Sequence, residues 1–224
     1  MSIKLYLTSF RRAPSVLSTT GRPENLVKAY KSVKKNNGAS GIDGETVSAY
    51  GENLKENIAQ LHHELKTGTY EPQPVLRVEI PKPDGSKRPL GIPTVKDRVV
   101  QQALLNILQP IFDPDFHPSS YGYRPGRSCQ KAVAKVEMFM NRYGLKHVVD
   151  MDLSKCFDRL DHELIIKGVN RKVSDGSILR LIRKFLKSGV MTDGAINETA
   201  IGSPQGGVIS PLLTNIYLDE LTRR

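Results

Sequence analysis

Cysteine and long apolar runs are scarce in this chain of 224 residues, and acidic groups are outnumbered. Its two cysteines, Cys129 and Cys156, form no Cys-x-x-Cys pair, so they read as free thiols of a reducing compartment rather than a disulfide framework. No apolar run approaches the ~18–20 residues that a membrane span needs. The opening Met-Ser-Ile-Lys-Leu-Tyr-Leu has too short an apolar part for a secretory signal. A cytoplasmic protein with no membrane partner is therefore expected. Lys and Arg number 33 against 23 Asp and Glu, a net charge of +10, which points to a polyphosphate partner. A merely soluble basic protein would carry the same excess. The length suffices to bury a core, as one large domain or two small ones.

Punctuation divides the chain. Residues 1–23 are polar, basic and broken by Pro14, Gly21 and Pro23, which reads as a flexible arm. Leu26, Val27, Tyr30 and Val33 predict a helix over 24–35, stopped at Asn36-Asn37-Gly38. Gly38-Ala-Ser-Gly-Ile-Asp-Gly44 is no dinucleotide fingerprint, because a helix rather than a strand precedes it. A second helix is expected over 51–66. His62 and His63 point to different faces and are poor co-ligands for one metal.

Alternation over 75–80, the turn Pro83-Asp-Gly-Ser86 and a return run to Pro93 predict a β-hairpin with Lys82 and Arg88 on its two arms. Two cations on a rigid hairpin suit a triphosphate, with Arg able to hold two oxygens at once. An ordinary charged hairpin tip would look the same. Thr94 is placed to cap a helix to about Leu108, ending before Pro110. Residues 112–128 are too rich in Pro and Gly for a regular element, and there Arg124 and Arg127 stand among Tyr121 and Tyr123. Cations beside stacking faces suit nucleic acid, although a self-held surface loop is the plain alternative.

A helix over 128–143 leads into His147-Val-Val-Asp-Met-Asp-Leu153, whose alternation predicts a strand with Asp150 and Asp152 on one face, roughly 7 Å apart. Two helices follow, the first capped by Asp161 and the second by Ser174 or Asp175. The second sets Ile178, Leu181, Ile182 and Phe185 against a cationic flank of Arg180, Arg183, Lys184 and Lys187. A second hairpin is expected around Asp193-Gly194. Gly206 and Gly207 then allow close backbone approach just before a last helix.

Five stretches together resemble the reverse transcriptases encoded by group II introns. Asp-Leu-x-x-x-Phe-Asp-x-Leu-Asp-His from Asp152 is similar to the first palm motif. Ile201-Gly-Ser-Pro-Gln-Gly-Gly-Val-Ile-Ser-Pro onward matches the second almost letter for letter. The 80–93 hairpin resembles the fingers block, and Gly41-Ile-Asp-Gly44 the first block, whose loop lies near the template. Ser-Tyr-Gly-Tyr-Arg-Pro-Gly-Arg-Ser128 resembles a further block, with Tyr123 where the family has Phe.

The resemblance implies an α+β, right-hand polymerase fold with helical fingers and β-hairpins on an antiparallel palm sheet. It divides the chain into fingers at 24–98 and 162–204 and an incomplete palm at 99–161 and 205–224. It implies that Asp152, helped by the carbonyl of Leu153, binds two Mg²⁺ ions, with Asp150 further out. Phe157 resembles the steric gate against a 2′-hydroxyl. Lys82 and Arg88 would hold the deoxynucleoside triphosphate, and Gln205 and Gly206 would line its pocket. Intron RNA, an RNA template and a DNA primer are the implied partners, met by Tyr121, Tyr123, Arg124 and Arg127. The family also needs Tyr-x-Asp-Asp, whereas this sequence contains no Asp-Asp. On that ground the sequence is expected to be a fragment, without thumb or maturase region and inactive alone. An RNA-binding maturase module that assists splicing is the competing reading. A retron or phage-defence polymerase is disfavoured by the Gly-Ile-Asp-Gly and Tyr-Arg-Pro-Gly-Arg-Ser blocks.

Overall fold

The computed structural model describes residues 19–83, 85–192, 194–197, 201–202 and 206–222, with side chains to 219 in the last stretch. The expected arm therefore lies outside the described residues up to position 18, as does Gln205. Helix α1 (Pro23–Asn36) starts on a proline, whose missing N–H is no loss at a helix start, and buries Leu26, Ala29, Tyr30 and Val33. The single helix expected over 51–66 is two: α2 (Val47–Glu52) and α3 (Leu54–Thr67). The break at Asn53 turns Tyr50 and Val47 into the core, where the Tyr30 hydroxyl donates to the Val47 carbonyl at 3.1 Å.

Strands β1 (Val75–Pro81) and β2 (Lys87–Ile92) form the expected hairpin. Helix α4 (Val95–Phe112) is capped by the Thr94 hydroxyl, which accepts from the Asp97 amide at 3.1 Å. It runs past Pro110, because the proline sits in the last turn and buried Leu108 and Phe112 anchor both sides of it. Helix α4 packs on α1, where Asn25 Nδ2 donates to the Ala103 carbonyl at 3.0 Å. Helix α5 (Cys129–Tyr143) is capped by Ser128, and no residue of it is buried. Val133, Val136, Met140 and Tyr143 are exposed along it.

Residues 147–153 form no strand. Val148, Val149 and Met151 are exposed, and no described strand lies alongside to accept their backbone hydrogen bonds. Alternation sets which residues share a face, but a strand needs a neighbour. A short 3₁₀ turn (Cys156–Arg159) follows, then α6 (His162–Asn170), capped by Asp161, and α7 (Gly176–Lys187), capped by Asp175. Strands β3 (Val190–Thr192) and β4 (Ala195–Asn197) make the second hairpin, and α8 (Ser210–Thr222) closes the chain.

The sheet order is β2-β1-β3-β4, with β1 and β3 parallel and the other pairs antiparallel. The sheet thus joins the two hairpins, and among the described residues no strand lies within 99–161. One core runs from Leu26 through α4, α6 and α7 to Ile216. Among the described residues, no helix is long and apolar enough to cross a membrane.

Candidate nucleotide and nucleic-acid site

The hairpin register sorts the cations. Ile80 faces Arg88 and Pro81 faces Lys87, and the Lys82 amide donates to the Ser86 carbonyl at 2.7 Å, which extends the ladder by one step. Residues opposite one another share a face, so Lys82 and Arg88 lie on the same face, two steps apart on opposite arms. Lys87 lies on the other face, where Glu79 neutralises it at 3.2 Å. Lys82 and Arg88 are exposed, and neither has an ion-pair partner among the described residues. The root of that face meets the second palm block. Gly206, at φ 107°, lies so close that a Cβ there would come within 2.2 Å of the Gly91 carbonyl and 3.0 Å of Leu90 Cδ1. Only glycine fits this position.

Asp152 is exposed in the segment before the 3₁₀ turn, and the Leu153 carbonyl accepts from the Cys156 amide at 3.2 Å. Lys155, in the left-handed region at φ 53°, turns the chain into the 3₁₀ turn that carries half-buried Phe157. Burial pushes the Cys156 thiol pKa up, and the Asp152 carboxylate adds to the effect. As metal ligands, Asp152 and the Leu153 carbonyl fit Mg²⁺ in kind, being hard oxygens, but fall short in number. Among the described residues, no group of three or more His, Cys, Asp or Glu is placed to hold a metal.

The Tyr121–Arg127 segment divides its two arginines. Arg124 is buried, and all five of its N–H groups are engaged. Nε donates to Asp113 Oδ1 at 2.8 Å and Nη2 to the Asp113 carbonyl and Oδ2. Nη1 donates to the carbonyls of His117 and Ser120. Its guanidinium also stacks on Phe116. With no donor left for a phosphate, Arg124 corrects the expectation of a nucleic-acid contact: it is the internal pin of the loop. Arg127 is half-buried, stacks over Tyr121 at 5.4 Å and gives one N–H to the Pro118 carbonyl. Tyr123 is exposed, at φ 55°. Tyr121, Tyr123 and Arg127 line an open groove together with Val133 of α5 and Gly207.

Two contacts have no local signal in the sequence. Gly41 lies against the Pro93–Thr94 backbone, where a Cβ would come within 2.7 Å, and Arg98 Nη2 reaches across to donate to the Ala39 carbonyl at 2.8 Å. Burial pulls the Arg98 pKa down and the Asp43 carboxylate opposes it. His162 is also buried, with Nε2 2.6 Å from the Gly202 carbonyl. It stands within a quoted motif, but nothing in the motif announces a partner 40 residues along the chain.

Comparison with known proteins agrees with this layout. The family model described as reverse transcriptase (RNA-dependent DNA polymerase) matches residues 80–224. Protein YkfC of Escherichia coli (strain K12) is 40% identical over 214 residues, covering 93% of this chain and 56% of that protein. The group II intron-encoded protein LtrA of Lactococcus lactis subsp. cremoris is 42% identical over 205 residues, covering 90% of this chain and 33% of LtrA. The chain thus spans about half the length of one relative and a third of the other. A chain of a partial Cas6-RT-Cas1–Cas2 complex matches in structure with a TM-score of 0.63 at 22% identity, covering 93% of this chain and 34% of that one.

Proposed function

Because the chain belongs to the reverse transcriptase family, in its group II intron type, we propose that it forms the nucleotide-binding part of an RNA-directed DNA polymerase. The observation that carries this reading is the shared face of Lys82 and Arg88, with Gly206 pressed against its root. Two cations there, without an ion-pair partner among the described residues, attract a triphosphate, and the Arg fork can hold two of its oxygens. Phe157 stands on the neighbouring turn as the gate that fills the space of a ribose 2′-hydroxyl. Template and primer lie along the groove of Tyr121, Tyr123 and Arg127, where rings stack on bases and the guanidinium meets phosphate.

Mg²⁺, when bound, supplies activation of the primer hydroxyl and neutralisation of the leaving pyrophosphate. Asp152 and the Leu153 carbonyl would be its ligands from this chain, and further carboxylates are needed to complete the set. The proposed division is fingers at 24–98 and 162–204 with palm at 99–161 and 205–224. The pairing of β1 with β3 supports it, since both fall in the fingers.

A second reading, an RNA-binding maturase module that assists intron splicing, draws on the net charge of +10 and on the intron-encoded relative. The deciding experiment is Mg²⁺-dependent incorporation of a deoxynucleotide opposite an RNA template by the complete gene product. Loss of incorporation in Asp152→Ala, with a raised nucleotide KM in Arg88→Ala, is expected. RNA binding without incorporation by the complete product would favour the maturase reading instead.

A further inference from the structure

His162 makes a contact for which the polymerase reading has no use as it stands. The residue opens α6, and its side chain is only 5% exposed. Its Nε2 lies 2.6 Å from the Gly202 carbonyl oxygen. A carbonyl can only accept, so Nε2–H is the donor. Nδ1 is buried and has no partner among the described residues. A ring held with half its hydrogen-bonding capacity unused is poorly explained as filler, since an apolar side chain would fill the space without an orphaned nitrogen. The unused side points to the used one as the reason for the histidine.

The contact joins α6 to the segment at Gly202, which in the polymerase reading leads to the nucleotide pocket. The Gly202 amide donates back to the Leu160 carbonyl at 2.8 Å, so backbone and imidazole bind the same residue from both of its polar groups. Gly202 has φ 87°, and a Cβ there would fall 2.8 Å from the Asp158 carbonyl oxygen. Its backbone therefore lies flat on the turn that carries Phe157. Four residues on, Gly206 lies equally close to the Gly91 carbonyl, at the root of the face bearing Lys82 and Arg88. His162 thus holds Gly202 on the turn that carries Phe157.

We propose that His162 is a positioning residue. Its Nε2–H bond to the Gly202 carbonyl holds Gly202 against the Phe157 turn, and so sets where the Phe157 ring stands beside the nucleotide. This rests on the polymerase reading for its consequence, but not for its geometry.

The test has two readouts. In residues 1–224, amide hydrogen exchange is followed at Gly202 and over 156–160 for the wild type, His162→Ala, His162→Gln and Gly202→Ala. Ile166→Val serves as a core-weakening control. His162→Ala should speed exchange there by about tenfold relative to α1 and α3, the loss of one buried hydrogen bond. Gln can place an N–H donor near the same carbonyl and should restore part of the protection. Gly202→Ala, which keeps His162 but strikes Asp158, should show the same local signature and stands in if His162→Ala does not fold. In the complete gene product, His162→Ala should raise the deoxynucleotide KM several-fold while kcat changes little, and Gln should again restore part of it. Exchange that rises evenly along the chain, as in the Ile166→Val control, overturns the proposal. So does an unchanged KM in an active product. If the wild-type product incorporates no nucleotide, the polymerase reading fails and the exchange pattern alone decides whether His162 positions Gly202.

Discussion

Arg124 and Asp113 form a nearly closed unit: Nε meets Oδ1 at 2.8 Å, and Nη2 reaches both the carbonyl and Oδ2 of the same residue. With side-chain exposures of 4% for Arg124 and 24% for Asp113, the pair is largely shielded from water. Removing one partner of a shielded pair leaves the other uncompensated and several carbonyls without donors. Arg124→Ala should therefore destabilise the fold by about 3 kcal/mol, read as an earlier midpoint in urea. Arg124→Lys should recover little, because one ammonium cannot reach the carbonyls of Asp113, His117 and Ser120 together. A variant of unchanged stability would return Arg124 to the nucleic-acid surface.

Arg127 should behave oppositely. It is half-buried, spends one N–H on the Pro118 carbonyl and rests on Tyr121. Arg127→Ala should leave the urea midpoint nearly unchanged and weaken primer–template binding about equally for every sequence. The log–log salt slope should become shallower by about 1. Titrations at several salt concentrations check this, and an unaltered slope would mean that Arg127 meets no phosphate.

These two arginines mark where the sequence stops being readable. Both stand among tyrosines in one block, and nothing local shows that Asp113, eleven residues earlier, folds under the first. Local signals fared better. The expected caps at Thr94 and Asp161 each accept an amide of the first turn, and of the two candidates Ser174 and Asp175 it is Asp175 that does so, because a cap is decided within four residues. The hairpin at 75–92 was legible for the same reason. The strand expected at 147–153 was not, since its alternation describes side-chain faces while its hydrogen bonds depend on a partner distant in sequence. The contacts of His162 with Gly202 and of Gly206 with Gly91 are equally remote. A glycine letter announces that something comes close, without saying what.

A buried cluster under α4 sets a pH dependence of stability. Asp97 is 1% exposed and accepts from the Tyr70 hydroxyl and, at 3.0 Å, from the Gln73 amide. Burial raises its carboxyl pKa above the usual 3.8, and the hydrogen bonds from Tyr70, Thr94 and Gln73 only partly oppose that. With the folded value above the unfolded one, the protonated form is favoured by folding. The contribution is fully present below the ordinary carboxylate value and is lost as pH rises through the raised one. Urea unfolding from pH 3 to 7 should show the stability of the wild type, relative to Asp97→Asn, rising as pH falls through that window. A constant difference between the two proteins would mean that Asp97 titrates alike folded and unfolded.

Phe157 is half-buried on the 3₁₀ turn, where a ring can pack on one side and face a ligand on the other. Phe157→Val in the complete gene product should admit ribonucleotides, since the lost ring volume is where a 2′-hydroxyl would sit, and should affect deoxynucleotide use less. The accompanying loss of stability should be about 1–2 kcal/mol, below the range for a fully buried ring. Competition between labelled ribo- and deoxynucleotides reads the change. Unchanged discrimination with lowered stability would make Phe157 a packing residue only.

The last prediction concerns residues 1–224 by themselves. Two-metal phosphoryl transfer holds its cations about 4 Å apart, which requires several carboxylates to offset their mutual repulsion. Asp152 and the Leu153 carbonyl are oxygens of the right kind, and Asp150 lies two residues away, yet among the described residues no cluster of three or more ligating side chains exists. Mg²⁺ gives up its water shell reluctantly, so two oxygens on an exposed, unpaired segment should hold it weakly. The cationic face of Lys82 and Arg88 and the Tyr121–Arg127 groove do not depend on the ion. Binding and chemistry should therefore separate in this chain. It should retain primer–template with a steep salt dependence and give no Mg²⁺-dependent extension on an RNA template, while the complete gene product does both. Extension by residues 1–224 that disappears in Asp152→Ala would show that the carboxylates present are already enough.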